Sequence, residues 1–192
     1  MKKFLASALM LLAASTTTFA QNAVGSFSLQ PKAGISIADM TDIQGTTSRI
    51  GFMGGLEGEY QASDIFSLSL GVNYSQEGFK MKNSDNKIKL DYINVPILAN
   101  VYLTKGLAVK VGVQPGFNVG NSVTVDGNTT SSSKKDYDGI KSVALSIPVG
   151  LSYEISNVVL DARYNWGVTK AFDGLDSKNS VFQVTIGYKF QL

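Results

Sequence analysis

From Phe182 to Leu192 the chain alternates without a break, and that pattern constrains its fold more than any other feature. Phe182, Val184, Ile186, Tyr188, Phe190 and Leu192 fall on one side, and Gln183, Thr185, Gly187, Lys189 and Gln191 on the other. A helix, with about 3.6 residues per turn, would scatter these residues around its axis; a strand sorts them onto two faces. The same alternation recurs over 27–37, 50–60, 66–74, 107–119, 143–153 and 158–168. In 90–102 both faces are partly apolar. There Ile93, Val95, Ile97, Ala99 and Val101 are assigned outward, and Asn94, Pro96 and Asn100 inward. Counting this segment gives eight strands, an even number as bacterial membrane barrels have.

The connections alternate too. Short links at 61–64, 104–106 and 154–157 separate longer ones at 38–49, 75–88, 120–142 and 169–180, which are rich in Gly, Asn, Asp, Ser, Thr and Lys. A transmembrane barrel has short periplasmic turns and longer outer loops. Aromatic residues supply a third regularity. If the first strand runs outward, Phe27, Tyr60, Phe66, Tyr153 and Phe190 ring the periplasmic rim, while Phe52, Tyr74, Phe117, Trp166 and Phe182 ring the opposite one. Aromatic girdles of this kind flank the apolar band of an outer-membrane barrel. The expected fold is all-β, an eight-stranded antiparallel up-and-down transmembrane β-barrel.

The N-terminus reads as an export signal. Lys2 and Lys3 precede an uncharged apolar run, Phe4 to Ala14, and Thr18 and Ala20 are small residues at the positions a signal peptidase reads. Residues 1–20 are therefore assigned as signal peptide and 21–192 as the barrel domain. This places the protein in the outer membrane of a Gram-negative bacterium, with both termini periplasmic. Its expected partners are outer-membrane lipids and, during insertion, the barrel-assembly machinery, and it is expected to act as a monomer.

The chain has neither His nor Cys. The usual general base at neutral pH, disulfides and thiolate metal sites are therefore all missing from its chemistry. Its Lys and Arg are scattered rather than arrayed in the basic stripe that nucleic-acid binding needs. No enzymatic activity, cofactor, metal or nucleic-acid partner is expected.

An eight-stranded barrel is only wide enough for side chains to fill its interior. Inward positions include Lys32, Glu57, Glu59, Lys110, Asp161, Arg163 and Lys189. Charges lining an ion path and charges neutralising each other as a plug both fit such a list. The balance of signs favours the plug, because buried charge is costly unless paired. Glu57 with Glu59, and Asp136 with Asp138, are carboxylate pairs, but neither has a nucleophile signature or EF-hand spacing around it. The 120–142 loop, with Ser131-Ser132-Ser133-Lys134-Lys135, is the candidate contact site for a surface or secretion partner.

Tyr92-Ile93-Asn94-Val95-Pro96-Ile97-Leu98 resembles a strand typical of the PorT-like outer-membrane β-barrel family, which shares the eight-stranded architecture of the OmpA and OmpX barrels. Lys32-Ala33-Gly34 and Leu160-Asp161-Ala162-Arg163-Tyr164 add to the resemblance, and the layout matches across 21–192. Where that family often carries Glu and Lys around the Pro, this chain has Asn94 and Asn100. The resemblance implies an outer-membrane location and, for a few members, a part in protein secretion. The leading expectation is an integral barrel with a filled lumen that is structural or acts through its outer loops. An accessory of secretion is the alternative; a small porin or a secreted lipocalin-like barrel stands further off.

Overall fold

The computed structural model describes residues 23–41, 45–82, 86–125, 128–132, 141–170 and 177–192. The segment assigned as signal peptide lies outside them, as does Asp136-Tyr137-Asp138-Gly139. The strands, in chain order, are β1 (Phe27–Met40), β2 (Thr46–Ser63), β3 (Phe66–Met81), β4 (Lys87–Asn94), β5 (Ile97–Tyr102) and β6 (Leu107–Val125). They continue with β7 (Asn128–Ser132), β8 (Val143–Ile155), β9 (Val158–Lys170), β10 (Lys178–Tyr188) and β11 (Phe190–Gln191).

All pairings are antiparallel, and the sheet closes on itself. β10 pairs with β1 from Lys32↔Gly187 to Met40↔Asn179, and β11 carries the seam on through Ser28↔Gln191. The result is an eight-stave barrel. Two staves are interrupted. Pro96, which has no N–H, separates β4 from β5. The ladder survives because the Val95 N–H donates to the Pro115 carbonyl at 2.8 Å and Gly71 N–H to the Pro96 carbonyl at 2.9 Å. At Lys189, between β10 and β11, the N–H donates instead to the Asn157 carbonyl at 2.7 Å.

The polarity of a water-soluble protein is reversed. Trp166 is 62% exposed and Ile50 67%, whereas Ser36, Ser67, Ser75 and Asn100 are wholly buried. Apolar side chains face outward along β2, β3, β8, β9 and β10, and polar ones face the lumen. In the 90–102 stave the outward residues are Ile93, Ile97 and Val101, and Asn94, Pro96 and Asn100 point in. Leu90, Tyr92 and Leu98 also point in, which is why both faces read as apolar.

Two expectations need correction. The single strand expected over 90–102 is split at Pro96. The long connections expected at 38–49, 75–88, 120–142 and 169–180 are largely strand: β1 runs to Met40, β2 begins at Thr46, β3 reaches Met81 and β9 reaches Lys170. The stretch 120–142 contains the end of β6 and the whole of β7, which folds back on β6 from Asn121↔Ser132 to Val125↔Asn128. Above the membrane a hairpin has water on its outer side and loses the apolar/polar alternation, while its backbone ladder continues. Composition alone therefore reads it as loop.

β3 keeps its extended path past the rim partly through Gly78. Its φ is +113°, and a Cβ there would lie 2.1 Å from the Ile88 carbonyl oxygen. Both observations demand glycine. Gly78→Ala is expected to lower stability by about 1–3 kcal/mol. Urea unfolding in vesicles, followed by fluorescence of Trp166, the single tryptophan, measures it.

Candidate functional site

The inward charges come from staves far apart in sequence and meet near mid-barrel. Lys32 lies on β1, Glu57 and Glu59 on β2, Lys110 on β6, and Asp161 and Arg163 on β9. Their neighbours in the ladder are small. Lys32 pairs with Gly55 and Gly187 on its two sides, and Gly150 lies opposite both Lys110 and Arg163. A Cβ at Gly150 would run into Arg163, while the space beside Gly55 and Gly187 is taken by Asn73 and Gln30.

Glu57 is the hub. Its carboxylate pairs with Lys32, with Lys110 at 2.9 Å and with Arg163 at 3.3 Å. Asp161 shares two of these cations with Glu57, through Lys110 Nζ at 3.2 Å and Arg163 Nη2 at 2.8 Å. One layer toward the short turns, Lys189 bridges Glu59 at 3.2 Å and Glu154 at 2.7 Å. Glu59 also accepts hydrogen bonds from the Tyr102 hydroxyl and from Ser67 Oγ, the latter at 2.6 Å. Four cations thus face four carboxylates. All eight side chains are at most 13% exposed, and four are below 4%. Paired this way, the charges offset in mutual attraction part of the hydration they lose.

Toward the other end the filling changes character. Glu77 accepts from Ser75 Oγ at 2.8 Å, Asn94 Nδ2 at 3.3 Å and Asn179 Nδ2 at 3.1 Å, while Arg49 donates to the Glu77 backbone carbonyl. Beside it lies a cavity of about 20 Å³, lined by Tyr92, Gln114 and Asn165 among others, with room for little more than one water. An apolar cluster of buried Met40, Phe79, Leu90 and Tyr92 packs inside the barrel toward that end. Among the described residues no group of three or more His, Cys, Asp or Glu could hold a metal ion.

All seven charged residues singled out in the sequence are brought into these two layers. Glu154, Tyr102, Glu77 and Arg49 were missed. Glu154 reads as turn and Glu77 as loop, and Tyr102 ends the ambiguous stave. The aromatic residues lie on the outer surface at its two ends. At the short-turn end Phe27 stacks on Tyr60, its paired residue, with ring centroids 4.7 Å apart, and Phe190 lies beside Leu29 across the seam. Phe66 and Tyr153, half-buried, end the same way against Val101 and Leu107. At the other end Phe52, Tyr74, Phe117, Trp166 and Phe182 are exposed.

A closed ring of strands, apolar outside and charge-filled inside, defines a transmembrane β-barrel. The chain belongs to the outer membrane protein beta-barrel domain family, whose model matches residues 19–173. Among solved structures it is similar to neisserial surface protein A, at 20% identity and a TM-score of 0.57, covering 85% of this chain and 97% of that one. It is also similar to Ail, the attachment invasion locus protein of Yersinia pestis, in complex with the heparin analogue sucrose octasulfate. There the identity is 18% and the TM-score 0.55, over 87% of this chain and 99% of that one. These likenesses share the fold. No curated protein matches the chain.

Removing the hub charge leaves Lys110 and Arg163 with Asp161 and takes from Lys32 the carboxylate it pairs with. Glu57→Gln is expected to cost about 3–5 kcal/mol, as breaking a buried pair does. Glu154→Gln, at the more open edge and with Glu59 still holding Lys189, should cost about 1 kcal/mol or less. Urea titration of both variants in the same vesicles checks the contrast.

Proposed function

We propose that this protein is an integral outer-membrane barrel with a closed lumen that works through its far end, where paired strands rise beyond the aromatic rim. The observation that carries the closed lumen is the Glu57 hub, which ties β1, β6 and β9 across the interior. Short turns at 64–65, 103–106 and 156–157 lie at the end that also holds both ends of the described chain. In this reading that end is periplasmic, residues 1–20 are a signal peptide, the barrel-assembly machinery inserts the chain, and the protein is a monomer in outer-membrane lipid. The projecting β3–β4 and β6–β7 hairpins are then extracellular contact surfaces.

A second reading is an accessory of protein secretion, as in the PorT-like family. It draws on Tyr92–Leu98, whose Pro96 interrupts a stave midway. Deletion that leaves secretion of surface cargo unchanged would remove it. The lipocalin-like alternative fits poorly, since a soluble barrel would not turn Ile50, Phe52, Leu70 and Trp166 to water.

Reconstituted in planar bilayers, the protein is expected to give no stable conductance steps. Large, long-lived steps would show an open pore and overturn the closed-lumen reading.

A further inference from the structure

The β3–β4 hairpin keeps one register from Asn73↔Asn94 to Lys80↔Lys87, so the face of each residue on it is fixed. Tyr74 and Ile93 point outward at the rim. Counting in twos, Gln76 with Asp91, Gly78 with Lys89 and Lys80 with Lys87 share that outward face. Lys82 stands exposed at the hairpin's end. Four lysines therefore crowd one outer wall, against a single carboxylate, Asp91, on that face among the described residues.

Lys80 and Lys87 are directly opposite each other, a placement that destabilises an antiparallel pair unless something offsets the repulsion. None of the four side chains makes an ion pair or a hydrogen bond among the described residues. Elsewhere the barrel pairs its cations closely: Lys32, Lys110, Arg163 and Lys189 are each within reach of a carboxylate. The unpaired group also sits at a particular height. Lys89 is four residues beyond Ile93, and Lys87 and Lys80 are six beyond Ile93 and Tyr74. At ~3.3 Å per residue and a tilt of ~40° these positions are about 10 Å and about 15 Å above the rim. A lysine stem reaches several ångströms back along this wall, which brings the Lys89 ammonium to the headgroup layer and the other three toward the phosphates at its outer edge.

We propose that Lys80, Lys82, Lys87 and Lys89 form a binding site for the phosphate groups of outer-leaflet lipid headgroups. The inference rests on the orientation given above, with the hairpins outside. Lysine ammonium groups are strong point-charge partners for phosphate, and a bound phosphate offsets the Lys80–Lys87 repulsion.

The test uses the full chain folded in detergent, titrated with a bis-phosphorylated diglucosamine glycolipid (lipid A), its dephosphorylated form and inorganic phosphate. The four-fold variant K80Q/K82Q/K87Q/K89Q is compared with K105Q at the opposite end, and heat-modifiability gels confirm that both fold. Binding of the phosphorylated lipid is expected to weaken at least about tenfold in the four-fold variant, to fall with salt, and to be unchanged in K105Q. Equal binding by the wild type and the four-fold variant overturns the proposal, as does equal binding of the dephosphorylated lipid. Inorganic phosphate matching the lipid in affinity overturns the lipid assignment. Separately, a K82C variant on intact cells is labelled with a membrane-impermeant maleimide. Labelling upholds the orientation whatever the lipid result; labelling only after the outer membrane is opened overturns the orientation and the lipid site with it.

Discussion

In hydrocarbon a backbone N–H or carbonyl without a partner costs several kcal/mol, and no water is available to supply one. A sheet in that medium must have no edge. The pairing of β1 with β10 removes it, and the continuation through β11 brings the seam down to Ser28↔Gln191. The remaining features follow from that closure. Once the ring is shut, each stave has one lipid-facing and one lumen-facing side, and the period-two pattern writes this division into the sequence. Pro96 can interrupt a stave because the backbone groups around it find partners in neighbouring strands.

Closure also creates a narrow interior that is too polar to be filled with hydrocarbon side chains alone. Charge fills it here. Glu57 takes partners 25, 53 and 106 residues away in the chain, so these contacts form only when all eight staves are in register. A one-residue slip of any stave would turn its charged set toward lipid, a far larger penalty than losing one contact. The lumen network therefore specifies register as well as filling space. Gly55, Gly150 and Gly187 belong to the same packed interior, since a Cβ at each would run into Asn73, Arg163 and Gln30 respectively.

The sequence was most legible where one face meets lipid. Phe182 to Leu192 showed its two faces without ambiguity, and Lys32, Glu57, Glu59, Lys110, Asp161, Arg163 and Lys189 could be placed inside from alternation alone. Which charge meets which could not be read, because partners depend on stave order and stagger rather than on local spacing. Legibility failed above the rim, where β3 and β4 carry Lys, Gln and Glu on a ladder that periodicity no longer reports. Glu77 was lost for that reason. Tyr102 was lost for the opposite one: Leu90, Tyr92 and Leu98 face inward and made the whole stave look apolar on both sides.

The central claim is ring closure within the membrane, and one crosslink tests it directly. Ile35 and Val184 are paired across the β1–β10 seam and both face outward. Cysteines at directly opposed positions of an antiparallel pair have Cα atoms about 4.5–5.5 Å apart, within disulfide range. In carbonate-washed outer membranes the double variant I35C/V184C, in a chain with no other cysteine, should form an intramolecular disulfide. The register-shifted pair I35C/I186C should form it far less. Failure of I35C/V184C to close within one chain, or equal crosslinking of the shifted pair, would contradict a closed barrel in this register.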